Sequence, residues 1–398
     1  LVIVGCGDGG ATPLDTSEPV ESVAGERAPG VIVSKDSFLQ LGPELRGGGI
    51  QAWRAEYRST KGSDLTGTTV SGAFFAPESP SPPGGRPVVV IAHGTTGNQQ
   101  GCGPSNFSDL FGYSASVAKY VEAGYVVAVP DYQGLGPADS LPYPYLEPYT
   151  AGFNVIDSVR AARNLFPDTS TKWLAMGGSA GGQATWAANE TAGSYGSGLQ
   201  LLGTASLSPP VDLTSLGQLI AAKKANSVQR SYVPMIVAGF AAAHPDRVRF
   251  EDYLSPRAID DLDLLIGCRD RSNTRKNKAL AQLAPSDTQP RTASSLQALQ
   301  DWLASTRLPQ KASTAPMLIG WGGKDAIVPP ESVRLAVLAA CRKGSVVTVS
   351  YDPRAGHDMS GTGTVVEDWL NDRLAGLPAL NDCSNPSLVN PTPANGAR

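Results

Sequence analysis

The stretch "KWLAMGGSAGGQATW" (residues 172–186) constrains this chain more than any other. One hydroxyl, Ser179, sits among Gly177, Gly178, Ala180, Gly181 and Gly182. Glycine inside a regular element weakens it by roughly 1 kcal/mol relative to alanine, so such a cluster needs a reason in the backbone. An apolar run leads into it and a helix-forming run leads out. A tight strand-to-helix turn, with other backbone packed against it, accounts for both.

The rest of the chain supplies the setting for such a turn. "IQAWRAEYRST" and "TGTTVSGAFFAP" read as an antiparallel hairpin. "RPVVVIAHGTTG", "YVVAVPDYQGLG" and "LQLLGTASLSPP" are short, buried, β-branched runs ending in loops. "FSDLFGYSASVAKYVEAG" and "AGFNVIDSVRAARNLFP" read as helices between them. Residues 210–312 break this rhythm, being helical with no buried strand. It returns in "APMLIGWGGKDAIVPP", "ESVRLAVLAACRKG", "SVVTVSYDPRAGH" and "GTVVEDWLNDRLAG". The alternation predicts a mostly parallel sheet with helices on both faces. The expected domains are a signal-peptide remnant and tether (1–30), a core in two parts (31–209 and 313–380), an inserted helical cap or lid (210–312) and a C-terminal tail (381–398).

With a strand before it and a helix after it, GxSxG is the nucleophile elbow of the α/β-hydrolase fold. A serine hydroxyl needs a base, and the chain offers three histidines. His93 precedes the elbow and His244 lies in the insertion. His357, in the loop after the last strand, has the right chain order and the right end of the sheet. The base needs an acid to hold its tautomer. Asp325 ends the preceding strand; of its rivals, Asp352 ends its strand too early and Asp358 adjoins the histidine and points away. The expected catalytic residues are Ser179, Asp325 and His357. The oxyanion donors expected are Ala180, just after the nucleophile, and Thr95 or Thr96 of "HGTTG", with His93 bracing that loop. Asp131 and Tyr132 end another strand on the same face; Tyr132 is a candidate lining residue, the other reading of the pair being packing or bracing of the loop. In the insertion, "SYVPMIVAGFAAAHPD" (231–246) offers Ile236, Gly239 and Phe240 for an apolar acyl groove, or is simply the cap's own core.

Net charge is −4 with no cationic run, which argues against a nucleic-acid partner. "LVIVGC" reads as the end of a lipoprotein signal, with Cys6 the lipidated residue of a secreted or cell-surface protein. This would anchor the chain to a membrane. Cys102, Cys268, Cys341 and Cys383 remain, an even number that suggests two disulfides. No metal site or cofactor is expected, and nothing in the sequence fixes the oligomeric state.

"GYVVAVPDYQGLGPADSLPYPYLEPYTAGFNVIDSVRAAR", followed by "GGSAGG", "GGKDAIVPP" and "GHDMS", resembles the secretory lipase (Candida antarctica lipase A-like) family over roughly residues 35–385. The resemblance implies a metal-free hydrolase of triacylglycerols or other carboxylic esters, acting on a lipid or small ester substrate. Its triad falls on Ser179, Asp325 and His357. It implies the disulfides Cys102–Cys268 and Cys341–Cys383. The family's acidic oxyanion-loop residue has no counterpart in "HGTTG", and the tail "NPTPANGAR" is too short for a long flap, which implies open access. Two other readings stay open at this point: an acyltransferase or peptidase on the same triad, and a non-catalytic hydrolase-fold binding protein.

Overall fold

The computed structural model describes residues 28–38, 41–46, 49–137, 141–269, 274–359 and 362–385. Cys6, the tether and the tail "NPTPANGAR" lie outside them. The strands are β1 Ile32–Ser37, β2 Ile50–Thr60, β3 Gly67–Pro77, β4 Arg86–Ala92, β5 Val126–Pro130, β6 Thr169–Gly178, β7 Gln200–Leu207, β8 Met317–Gly322 and β9 Val347–Asp352. They form one sheet in the order β1-β2-β3-β5-β4-β6-β7-β8-β9. The strands from β1 to β5 in this order pair antiparallel, and those from β5 to β9 pair parallel. The arrangement is an α/β-hydrolase fold.

The central strands are covered on both sides, which is why they read as continuous apolar runs. Val88, Val90 and Ala92 face one cluster, with Phe153, Val155 and Ala184. Val89 and Ile91 face the other, with Val117, Trp369 and Leu370. The first face is covered by α2 (Pro148–Leu165) and α3 (Ala180–Tyr195), and the second by α1 (Ser114–Glu122) and α11 (Gly363–Leu374). Helix α10 (Pro330–Arg342) packs on β8 beside Trp186 of α3.

Between β7 and β8 the described residues form six α-helices: α4 Thr214–Ala221, α5 Ser227–Ala243, α6 Pro256–Asp260, α7 Leu262–Ile266, α8 Thr274–Ala281 and α9 Ala293–Ser305. Asn226 and Gln229 close a capping box at the start of α5. Apolar residues of these helices, Leu216, Ile236, Phe240, Leu299 and Trp302, belong to the same cluster as α2 and α3. The inserted helices therefore extend the core on that face and have no separate core of their own.

Two local readings are corrected. Strand β1 was not anticipated; its exposed, polar residues pair with β2 at the sheet's edge. The helix expected from Phe107 begins only at Ser114, because Leu110, Phe111 and Gly112 all take left-handed backbone and form a turn. Disulfide Cys102–Cys268 joins the loop after β4 to the chain just after α7, and Cys341–Cys383 joins α10 to the C-terminal turn.

Candidate active site

Strand β6 delivers Ser179 to the carboxyl end of the sheet with φ 55° and ψ −126°. A non-glycine residue in such backbone costs roughly 1–3 kcal/mol and persists only where the surroundings impose it. They do so here. A side chain on Gly181 would come 2.0 Å from Ala92 O, and one on Gly177 would come 2.5 Å from Gly181 itself. Glycine alone lets α3 start this close to β4 and β6. The Ser179 amide N–H donates to Leu207 O at 2.8 Å, which ties the elbow to β7.

The loops after β8 and β9 bring Asp325 and His357 together. His357 Nδ1 donates to Asp325 Oδ2 at 2.7 Å. Asp325 Oδ1 accepts from the Ile327 and Val328 amides at 2.8 and 3.0 Å. One carboxylate oxygen is thus held by backbone and the other fixes the imidazole, leaving Nε2 to face outward from the pair. The Asp325 side chain is only 2% exposed and that of His357 20%. Asp352 instead accepts from the Arg354 amide in its own turn.

The loop after β4 is built on buried polar groups. His93 is enclosed, with Nδ1 2.6 Å from Gly94 O and Nε2 3.1 Å from Asp131 O. Burial lowers its pKa to about 4 against the pull of both carbonyls. Asp131 is fully buried and receives Ser71 Oγ, Ser105 Oγ and the Ser105 amide. The Gly94 amide donates to Tyr113 Oη at 2.9 Å, so it is already engaged. Thr95 Oγ1 lies 2.8 Å from Tyr145 Oη. Thr96 Oγ1 is buried with no hydrogen-bond partner among the described residues.

A narrow apolar pocket of about 20 Å³ opens at Ser179, lined by Tyr145, Leu146, Leu213, Tyr232, Ile236 and Val328 among others. Tyr232 also borders a second cavity of about 280 Å³ that reaches Thr95 and Met235. Thr95 in turn borders a third, of about 720 Å³, with Phe107, Phe111 and Arg269. Ile236 thus reaches the serine's pocket. Three other residues offered for this pocket do not border it. Tyr132 is 1% exposed, stacks on His93 and donates its hydroxyl to His93 O, so it braces the loop. Phe240 stacks on Trp302 at 4.8 Å inside the inserted helices. Gly239 faces the Tyr145 backbone, because α5 crosses that segment too closely for any side chain. Tyr113 and Tyr145 were not singled out from the sequence. The tyrosine-rich "PYPYLEPY" was the only signal near Tyr145, and it does not say which hydroxyl reaches the loop.

A family model, secretory lipase, matches residues 113–382, which carry the elbow and the Asp325 and His357 loops. The chain belongs to the secretory lipase family. As a member it is a carboxylic ester hydrolase of exported type, and its two disulfides suit an oxidising compartment. Lipid or ester molecules are its substrate class. Among curated proteins none matches this lipase-family chain by sequence. Its fold is that of lipase A from Candida antarctica in its closed state: 17% identity, TM-score 0.73, 92% of this chain and 87% of that one. It also matches a rice cell wall degrading esterase from Xanthomonas oryzae at 19% identity and TM-score 0.68, over 87% and 100%. A putative hydrolase from Legionella pneumophila aligns at 18% and TM-score 0.68, over 86% and 97%. Among the described residues, no group of three or more His, Cys, Asp or Glu suits a metal ion, and no helix is long and apolar enough to cross a membrane.

Proposed function

We propose that this family member cleaves carboxylic esters, triacylglycerols or medium-chain esters, through a Ser179–His357–Asp325 triad and an acyl-enzyme. The observation that carries this reading is the 2.7 Å bond from His357 Nδ1 to Asp325 Oδ2, at the same sheet end as the strained Ser179. His357 Nε2 takes the proton as Ser179 Oγ attacks the ester carbonyl. The imidazolium is stabilised by Asp325 and returns the proton to the departing alcohol. Water then repeats the sequence on the acyl-enzyme. Negative charge on the carbonyl oxygen is met by the Ala180 amide and by Thr95, with the Gly94 amide already committed to Tyr113.

The helices spanning residues 210–312 act as the cap. Ile236 and Tyr232 supply an apolar wall for the acyl chain above Ser179, and each fully buried methylene contributes about 0.8 kcal/mol. The closed pocket is too narrow for a long chain, so the cap must shift to admit one. Lipidation of Cys6 would hold the enzyme at a membrane surface; the motif "LVIVGC" supports it, and metabolic palmitate labelling tests it.

Fluorophosphonate labelling with peptide mapping, together with hydrolysis of p-nitrophenyl esters from C2 to C12, tests the mechanism. The expected result is a single adduct at Ser179 and faster turnover of C6–C12 esters than of acetate. Label elsewhere, or none, overturns it.

A further inference from the structure

We infer that Tyr145 is a positioning residue for the oxyanion: its hydroxyl donates to Thr95 Oγ1 and thereby turns the Thr95 hydroxyl proton toward the substrate's developing negative charge. The inference rests on the ester-hydrolase reading above. Its starting point is that the two oxygens are 2.8 Å apart and each hydroxyl has a single proton to give. If Tyr145 donates, Thr95 Oγ1 accepts and its own proton is free for a third group. That group is the ester oxygen. Thr95 follows Gly94, which a side chain would bring to 3.8 Å from Ser179 Cβ, so the loop runs directly beside the nucleophile.

Tyr145 is placed to hold this direction. It is 4% exposed, and burial raises its pKa far above the usual tyrosine range, so it remains a protonated donor. Its ring rests against that of Tyr143 at 5.7 Å. Its backbone is clamped by Gly239 of α5, where a side chain would come 2.3 Å from Tyr145 O. The segment that carries the phenol is therefore held in place while α5 is docked. Tyr145 also lines the pocket at Ser179, and Thr95 lines the two wider cavities. Thr96 has no such partner, and its hydroxyl is not aimed by the protein.

The test is steady-state kinetics on p-nitrophenyl butyrate with Tyr145→Phe, Thr95→Val, Thr95→Ser and the double variant Tyr145→Phe/Thr95→Val. Thr95→Val is expected to lower kcat about 100-fold, as loss of an oxyanion donor does. Tyr145→Phe is expected to lower it about 10-fold with KM unchanged. The double variant should be no slower than Thr95→Val, and Thr95→Ser should recover most of what Thr95→Val loses. Binding of a boronic acid inhibitor should weaken with Tyr145→Phe in step with kcat, while butyrate inhibition stays the same. Equal kcat in Tyr145→Phe and wild type, or losses that multiply in the double variant, overturns the inference. If Tyr145→Phe does not fold, equal rates for Thr95→Val and Thr95→Ser overturn it alone. Wild-type protein that labels at Ser179 and hydrolyses the ester separates these results from failure of the hydrolase reading. Wild type that does neither overturns both.

Discussion

Gly239 of α5 lies against Tyr145 so tightly that a methyl group there would come 2.3 Å from Tyr145 O and 2.8 Å from its amide nitrogen. Both obstacles are backbone, so neither can rotate aside. Gly239→Ala should therefore push α5 away from residue 145, with a stability loss of roughly 1–3 kcal/mol. Urea unfolding of the variant would show it as a lower midpoint, and an unchanged midpoint would mean the helix is free to slide.

Ser179→Ala and His357→Ala should each reduce turnover by several orders of magnitude, and the double variant should be little worse. Groups that act as a unit do not contribute additively. Asp325→Asn should keep the fold, because the Ile327 and Val328 amides can still donate to a side-chain carbonyl, but lose the tautomer that leaves Nε2 free to accept a proton. Single-turnover assays compare the three; a double variant far slower than either single one would count against a common mechanism.

Ile236 is the one residue of α5 that sequence and structure both bring to the serine's pocket as a wall. Ile236→Ala should widen that pocket and raise the ratio of kcat/KM for decanoate over acetate esters. The competing effect is a cavity cost of about 2–5 kcal/mol to the fold, so the ratio is the readout and the absolute rate is not. A ratio that stays put would move the acyl chain to another wall.

The buried His93 gives the fold an acid limit. Its folded pKa of about 4 lies below the 6.5 of an ordinary histidine. Between these values the unfolded chain holds more protons, so stability falls as pH drops through the window, by on the order of 3 kcal/mol in all. Above pH 6.5 the contribution is complete. His93→Gln should be less stable at neutral pH yet lose less on acidification from 6.5 to 4. Parallel slopes for the two proteins in chemical denaturation would be the contrary outcome.

The disulfide Cys102–Cys268 closes 166 residues and Cys341–Cys383 closes 42. In the chain-entropy picture their removal costs about 5 and about 4 kcal/mol. Paired serine substitutions should lower Tm, the first pair more than the second. The first pair should also slow ester hydrolysis, because it frees the loop that carries Thr95. A larger effect from the second pair would put strain, not loop length, in charge.

The elbow was legible because its signal is local: five small residues, a strand before and a helix after. With three histidines in the whole chain, elimination leaves His357, and the structure pairs it with Asp325. What stayed hidden was set by contacts between distant segments. Gly239 reads as free width in a groove until the Tyr145 backbone is seen to occupy that space. Tyr132 ends a strand at the right edge, yet its left-handed backbone (φ 68°) goes with a ring turned inward onto His93. Phe107–Ser114 has helical composition, but Leu110–Gly112 takes left-handed backbone, with the Phe111 amide held by the Asp109 side chain. Tyr113 and Tyr145 act through single hydroxyls reaching across the fold, and periodicity carries no record of that.

The sheet order has a consequence for how such an enzyme is made. Ser179 rides on a central strand, whereas His357 follows β9, which forms the outermost edge. A nascent chain emerging N-terminus first displays the serine 178 residues before its imidazole, since 357 minus 179 is 178. A chain ending before β9 would hold the serine's neighbours β4, β6 and β7 but lack the imidazole that the proposed triad requires. On the proposed mechanism, ester cleavage would wait for that last strand to dock.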